Sequence, residues 1–250
     1  DGIRDLVRSR GLGDVYKRQL QRWAGLLIRD QQWSALETLF QQKGSDSSQQ
    51  LPILADLCLQ LGMEESTKAR QAARNGLLFL LEKYPNHPHL NVSLGRLEHY
   101  QQSYQAAERR YRKALHSTAE PAAEDSLRVI AMNNLAWIVA HENKNTEEAL
   151  QWANRGLNIQ PENSDLLDTR GEIYLLAERY EKAKEDFEKA MTMYPPNSSK
   201  RIGTGFRLAK TLVQLGKNIE AVKLFVQVQK WNLQQPVLSS EQLIELNKYI

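Results

Sequence analysis

The sequence of 250 residues predicts an all-α fold, an α-solenoid of about six antiparallel helix pairs with a closing helix at its C-terminal end. Three observations predict it. Apolar residues recur at helical spacing in paired stripes separated by short polar breaks. Small residues stand where the two helices of a pair would cross. The scheme also recurs along the chain: the equivalent alanines Ala73, Ala107, Ala149, Ala183 and Ala221 lie 34, 42, 34 and 38 residues apart.

Taken in chain order, residues 20–85 read as two degenerate hairpins. LQRWAGLLIRDQQWSALETLFQQ is one pair, with Trp33 after its turn, and GSDSSQQ is a polar connector. LPILADLCLQLG and STKARQAARNGLLFLLEKYP form the second pair, stopped at Pro85. Residues 86–235 hold four better repeats. The first, HPHLNVSLGRLEHYQQSYQAAERRYRKAL, supplies Leu94, Gly95, Tyr104, Ala107, Tyr111 and Ala114. The second, AMNNLAWIVAHENKNTEEALQWANRGLNIQP, supplies Leu135, Ala136, Ala149, Ala153, Gly156 and Pro161, with one extra residue in its turn.

The third repeat, residues 164–197, is the clearest. Leu167, Ile173, Tyr174 and Leu176 form one helical stripe, the polar AER breaks it, and Tyr180, Ala183, Phe187 and Ala190 form the next. Gly171, Ala183 and Ala190 fit a close crossing, and Pro195 and Pro196 end the second helix. In the fourth, GFRLAKTLVQLGKNIEAVKLFVQVQKW supplies Leu208, Ala209, Leu212, Gly216, Ala221 and Phe225. STAEPAAEDS and YPPNSSKRIG read as the connectors that lengthen the spacing. Residues 236–250 predict a capping helix, with a capping box at Ser239 and Gln242 and an apolar face of Leu243, Ile244 and Leu246.

Residues 164–197 resemble a tetratricopeptide repeat (TPR). Leu167, Gly171, Tyr174, Tyr180, Ala183, Phe187, Ala190 and Pro195 stand at the family's spacing, and the leucine before the glycine is replaced by Arg170. The resemblance implies a right-handed superhelix. It further implies a non-catalytic scaffold that binds a peptide or partner protein in the concave groove lined by the first helix of each pair. Carried onto this chain, the groove would present His89, Arg96, His99, Tyr100, Asn133, Trp137, His141, Asp165, Asp168, Glu172, Phe206, Arg207 and Lys210. Aromatic platforms would take apolar anchors, and charges changing sign would fix register; Trp137 has packing between hairpins as its alternative role. One TPR subclass grips a C-terminal carboxylate. Asn134 and Arg207 suit that clamp in kind, but Val92, Asp165 and Asp168 stand where its polar or basic residues belong.

Composition narrows the function. Apolar residues make up 41 % and charged residues 25 % of the chain, ordinary for a folded domain. No run is long enough to span a membrane and no secretory signal is visible, so a cytoplasmic location is expected. The single cysteine, Cys58, excludes an internal disulfide and reads as a buried packing thiol. Residues 1–19 carry five basic and three acidic side chains, leaving 28 against 27 thereafter, so the body is nearly neutral. An RNA-binding helical repeat, the alternative reading, needs a basic groove that is lacking here.

No catalytic constellation is legible, and no cofactor or metal is expected. His87, His89 and His99 read as turn and surface residues, and the acidic pairs Glu147/Glu148 and Glu185/Asp186 as solvated faces. RGLGDVYKRQ at 10–19 lacks the spacing of a phosphate loop. DGIRDLVRSRGLGDVYKRQ instead resembles translated sequencing-adapter read-through, which makes residues 1–19 a non-native or disordered segment in expectation. A piece of something larger is one expectation for the chain, and the interaction domain of an enzyme or effector whose catalytic part is missing is a further alternative reading.

Overall fold

A computed structural model of the chain describes residues 51–63, 66–116, 124–196 and 198–250, with isolated positions before residue 43. The readings of residues 1–18, of the hairpin over 20–42 and of the connector at 44–50 lie outside the described residues. Among the described residues there are eleven helices and no strand. The chain divides into two compact units, Asp1–Leu127 and Arg128–Ile250.

In the first unit α1 (Leu51–Gly62) pairs with α2 (Thr67–Lys83), and α3 (Pro88–Tyr100) with α4 (Tyr104–Leu115). Leu51, Leu54, Leu61, Leu77, Leu80, Leu90, Leu94 and Leu97 form their shared core. Leucine supplies volume here without β-branching, which suits helix interiors. Cys58 lies wholly within that core, and burial pushes its thiol pKa up. The packing role read from the sequence is the one it has.

The second unit holds most of α5 (Asp125–His141), then α6 (Thr146–Ile159), α7 (Ser164–Leu176), α8 (Tyr180–Met193), α9 (Ser199–Gln214), α10 (Asn218–Gln234) and α11 (Ser240–Leu246). Here α7 with α8 and α9 with α10 close as hairpins, and α6 on α7 and α8 on α9 join successive pairs. The close crossing has one cause in both units. A Cβ at Gly171 would lie 2.8 Å from the Phe187 ring, and one at Gly95 would lie 2.9 Å from Tyr111. Glycine lets the second helix seat a full aromatic ring against the first, so Phe187 and Tyr111 are wholly buried.

The hairpin turns share a backbone device. Gln102, Lys144, Glu178 and Gly216 have φ of 59°, 55°, 57° and 71°. Each stands five residues before the small alanine of the following helix, at Ala107, Ala149, Ala183 and Ala221. The next backbone N–H then folds back onto the first helix: Ser103 to the Glu98 carbonyl, Arg179 to Tyr174 and Lys217 to Leu212, at 2.8 to 2.9 Å. Asn145 reaches Val139, one residue further back, which accommodates the extra residue of that turn.

Three expectations need correction. YPPNSSKRIG is not all connector: the Ser198 hydroxyl accepts from the Arg201 N–H at 3.2 Å and starts α9 at Ser199. Two glycines, Gly203 and Gly205, conceal that start, and α5 likewise begins earlier than its repeat pattern, at Asp125. His87 is not a surface histidine. It stands before Pro88 at the start of α3 and is 4 % exposed, and burial, aided by the nearby His89, lowers its pKa to about 4. On α11 the capping box forms, with Ser239 N–H donating to Gln242 Oε1 at 2.9 Å and Gln242 N–H to Ser239 Oγ at 3.3 Å. Leu243 and Leu246 then face the core, but Ile244, turned 100° from Leu243, faces solvent.

Candidate functional site

Helices α7 and α9, the first helices of successive pairs, lie side by side, and their polar faces meet as a ladder. Asp165 Oδ2 is 2.6 Å from Lys200 Nζ at one end. One turn along, Asp168 accepts from Thr204 Oγ1 at 2.8 Å and from the Arg207 guanidinium. Next, Glu172 lies 3.4 Å from His141 Nε2 on α5. Beyond it, Lys210 sits 2.9 Å from Glu245 on α11. Burial works against the Glu172 carboxylate, yet the His141 contact and the Arg207 charge outweigh it and hold its pKa below the usual value.

Asp165 and Asp168 of α7 are therefore paired with Lys200 and Arg207 of α9. Residues at matching heights on neighbouring parallel rods meet before any ligand does. Between α5, α7 and α9 this leaves an open cleft of about 480 Å³. Asn133, Asp168, Thr169, Lys200, Gly203 and Arg207 are among its walls. Asn133 Oδ1 and Arg207 Nε are buried and have no hydrogen-bond partner among the described residues. At the cleft's edge the Tyr194 hydroxyl lies 2.9 Å from Asp165 Oδ1 and 3.1 Å from the Ser164 carbonyl, sharing one proton between them.

Of the residues singled out in sequence, Asn133, Trp137, His141, Asp165, Asp168, Glu172, Arg207 and Lys210 fall in the second unit and are half-buried. Trp137 stacks on His141, with ring centroids 4.5 Å apart. Phe206 is corrected: it is 2 % exposed and packs edge-on against Phe225 in the core, so it offers no groove surface. Its neighbour Arg207 takes the outward position. In the first unit His89, Arg96 and His99 are half-buried and Tyr100 is exposed, with His99 edge-on to Tyr104 at 5.4 Å. Val92 is buried. Among the described residues no cluster of metal-ligating side chains occurs.

The sequence missed Lys200, Gly203, Thr204 and Tyr194, all of which line or brace the cleft. Tyr194, Lys200 and Gly203 sit in the stretch read as connector, and Thr204 follows it directly. A serine three residues before a basic N–H donor was the available signal. It also left unexplained the replacement at Arg170. The Arg170 guanidinium clamps both Asp186 oxygens at 2.7 and 2.8 Å and donates to Asn154 at 2.8 Å, binding α6, α7 and α8 together behind the cleft.

Comparison with known proteins bears on this arrangement. Residues 164–197 match the tetratricopeptide repeat model. No curated protein matches the sequence. Among solved structures, pilF of Pseudomonas aeruginosa shares the fold with a TM-score of 0.63 at 13 % identity, over 95 % of this chain and 99 % of its own. MamA (41-end) from Desulfovibrio magneticus RS-1 aligns at 18 % identity and a TM-score of 0.56, over 73 % of this chain and 97 % of its own. YrrB, described as a TPR protein with an unusual peptide-binding site, gives 13 % and 0.54, over 78 % and 91 %. Residues 164–197 thus match a tetratricopeptide repeat, and they are set among helical hairpins of the fold that these solved proteins share.

Proposed function

We propose that the chain is a non-catalytic scaffold for protein–protein interaction, and that the first-helix face of its second unit receives an extended peptide segment of a partner. The observation that carries this reading is the cleft between α5, α7 and α9, where Asn133 Oδ1 and Arg207 Nε are buried without partners. Buried polar atoms are costly unless satisfied, and a peptide main chain supplies both a donor for Asn133 and an acceptor for Arg207. The ladder of internal ion pairs supports a pre-formed site, since its side chains need no ordering when the partner arrives. His89, Arg96, His99 and Tyr100 are assigned to the corresponding face of the first unit. Each basic residue on the α9 face has a carboxylate beside it, which counts against nucleic acid as the ligand.

The test is selection of binders from a random peptide display library by the full chain, followed by titration of the enriched peptides into wild type and Asn133→Ala. A loss of about ten-fold in affinity, one good hydrogen bond to a buried group, is expected. Enriched peptides that bind both proteins equally would place the site elsewhere.

A further inference from the structure

The second helix of the last pair carries an apolar seam that the fold leaves uncovered. On α10 the residues Ile219, Val222, Val226 and Leu233, with Gln229 between the last two, follow a three-four-three-four spacing, which puts them on one side of the helix. Ile219 is 76 %, Val222 39 % and Leu233 78 % exposed. The core side of the same helix, Ala221, Phe225 and Val228, lies about 110° away by helical geometry.

The seam is not part of the repeat pattern. On α8, 38 residues earlier, the places of Ile219, Val222 and Val226 are held by Glu181, Lys184 and Glu188. There the side faces the following pair through charge, with Glu181 3.7 Å from Lys217 at the head of α10. On α10 the equivalent side looks to where a further helix would lie, and α11 reaches only its edge, through a 3.3 Å hydrogen bond from Gln229 to Asn247. Lys223 and Lys230 follow the seam on one flank, two turns apart and exposed, with no ion-pair partner among the described residues.

We infer that this seam docks an amphipathic helix of a partner protein whose apolar stripe is flanked by acidic residues. The charge pattern selects the occupant. Two-fold pairing with a second copy would set Lys223 against Lys230 across the interface, which repels. A helix with glutamates at the facing positions meets both lysines favourably while covering the apolar stripe. This binding surface is separate from the cleft, on the second rather than the first helix of its pair.

The probes are two synthetic amphipathic helices of about 20 residues with a leucine seam, one flanked by glutamate and one by lysine, titrated into the full chain at low salt. The glutamate probe is expected to bind at least about ten-fold more tightly. Leu233→Lys and Val222→Lys, at exposed sites that leave the melting temperature unchanged, should each abolish its binding. The double substitution Lys223→Glu, Lys230→Glu should transfer the preference to the lysine probe. Equal binding of the two probes, binding of neither, or binding unaltered by the exposed substitutions would overturn the inference. So would a dimer in sedimentation that Leu233→Lys dissociates, since a second copy would then be the occupant.

Discussion

Asp168 on α7 holds Arg207 on α9, and a second bond from Thr204 fixes the carboxylate in place. The side chains of this pair are 17 % and 23 % exposed, so water screens them only partly. The pair both joins two successive repeats and forms one wall of the cleft.

Asp168→Asn keeps the shape and removes the charge. Loss of a charge-assisted bond predicts destabilisation of about 1–2 kcal/mol, read from the urea midpoint. It also releases the Arg207 guanidinium toward the cleft. Peptides bearing a carboxylate should then bind about ten-fold more tightly at low salt, with the gain disappearing at high salt. An unchanged salt dependence would show that Arg207 does not face the ligand.

Arg170 departs from the repeat pattern because it has a partner. Asp186 is only 6 % exposed, and its two oxygens are both held by that guanidinium. Arg170→Leu restores the family residue but strands a buried carboxylate, so a loss of about 3 kcal/mol is expected. The double substitution Arg170→Leu, Asp186→Leu should recover most of it. Chemical denaturation of the four proteins of that cycle measures the coupling.

The turns offer stabilisation. Gln102, Lys144 and Glu178 hold the left-handed conformation that Gly216 adopts freely. Replacing each by glycine relieves about 1 kcal/mol of backbone strain against about 0.5 kcal/mol of added freedom in the unfolded chain. A net gain of about 0.5 kcal/mol per site is expected in thermal unfolding.

His87 makes the first unit acid-sensitive. Burial, with a smaller contribution from His89, depresses its pKa from 6.5 to about 4. Between those values the unfolded chain binds a proton that the folded chain refuses, so stability falls as pH drops from 6.5 toward 4 and is level above 6.5. The full difference is about 3 kcal/mol. His87→Asn, which suits the helix start, should remove this slope in urea midpoints measured across that range.

How much of this could be read from the chain differs by level. The hairpins from α1 to α10 were legible because each has two apolar stripes broken by a polar turn, and because Gly171 and Phe187 recur in role as Gly95 and Tyr111. Helix starts were less so: Ser198 caps α9 from within a stretch whose proline and glycine content reads as loop. The groove residues expected from the resemblance include Asp165, Asp168 and Glu172 of α7, but the sequence could not say that the Asp168 charge is satisfied internally, because Asp168 and Arg207 are 39 residues apart and only packing brings them together. Phe206 and Arg207 differ by one residue and by 100° on the helix, and the pattern alone did not decide which turned inward. The exposure of the α10 seam came only from the structure.

The claim that the second unit receives a partner in the cleft between α5, α7 and α9 is tested most directly by filling that cleft. Gly203 lines it, and a Cβ built there would meet only the tip of Arg207, at 3.7 Å. The backbone there accepts a side chain, and a tryptophan projecting from it into the open cleft is expected to leave the urea midpoint unchanged or slightly raised. The account predicts that this substitution abolishes titratable binding of the peptides selected by the wild-type chain. Binding of those peptides at undiminished affinity would contradict it.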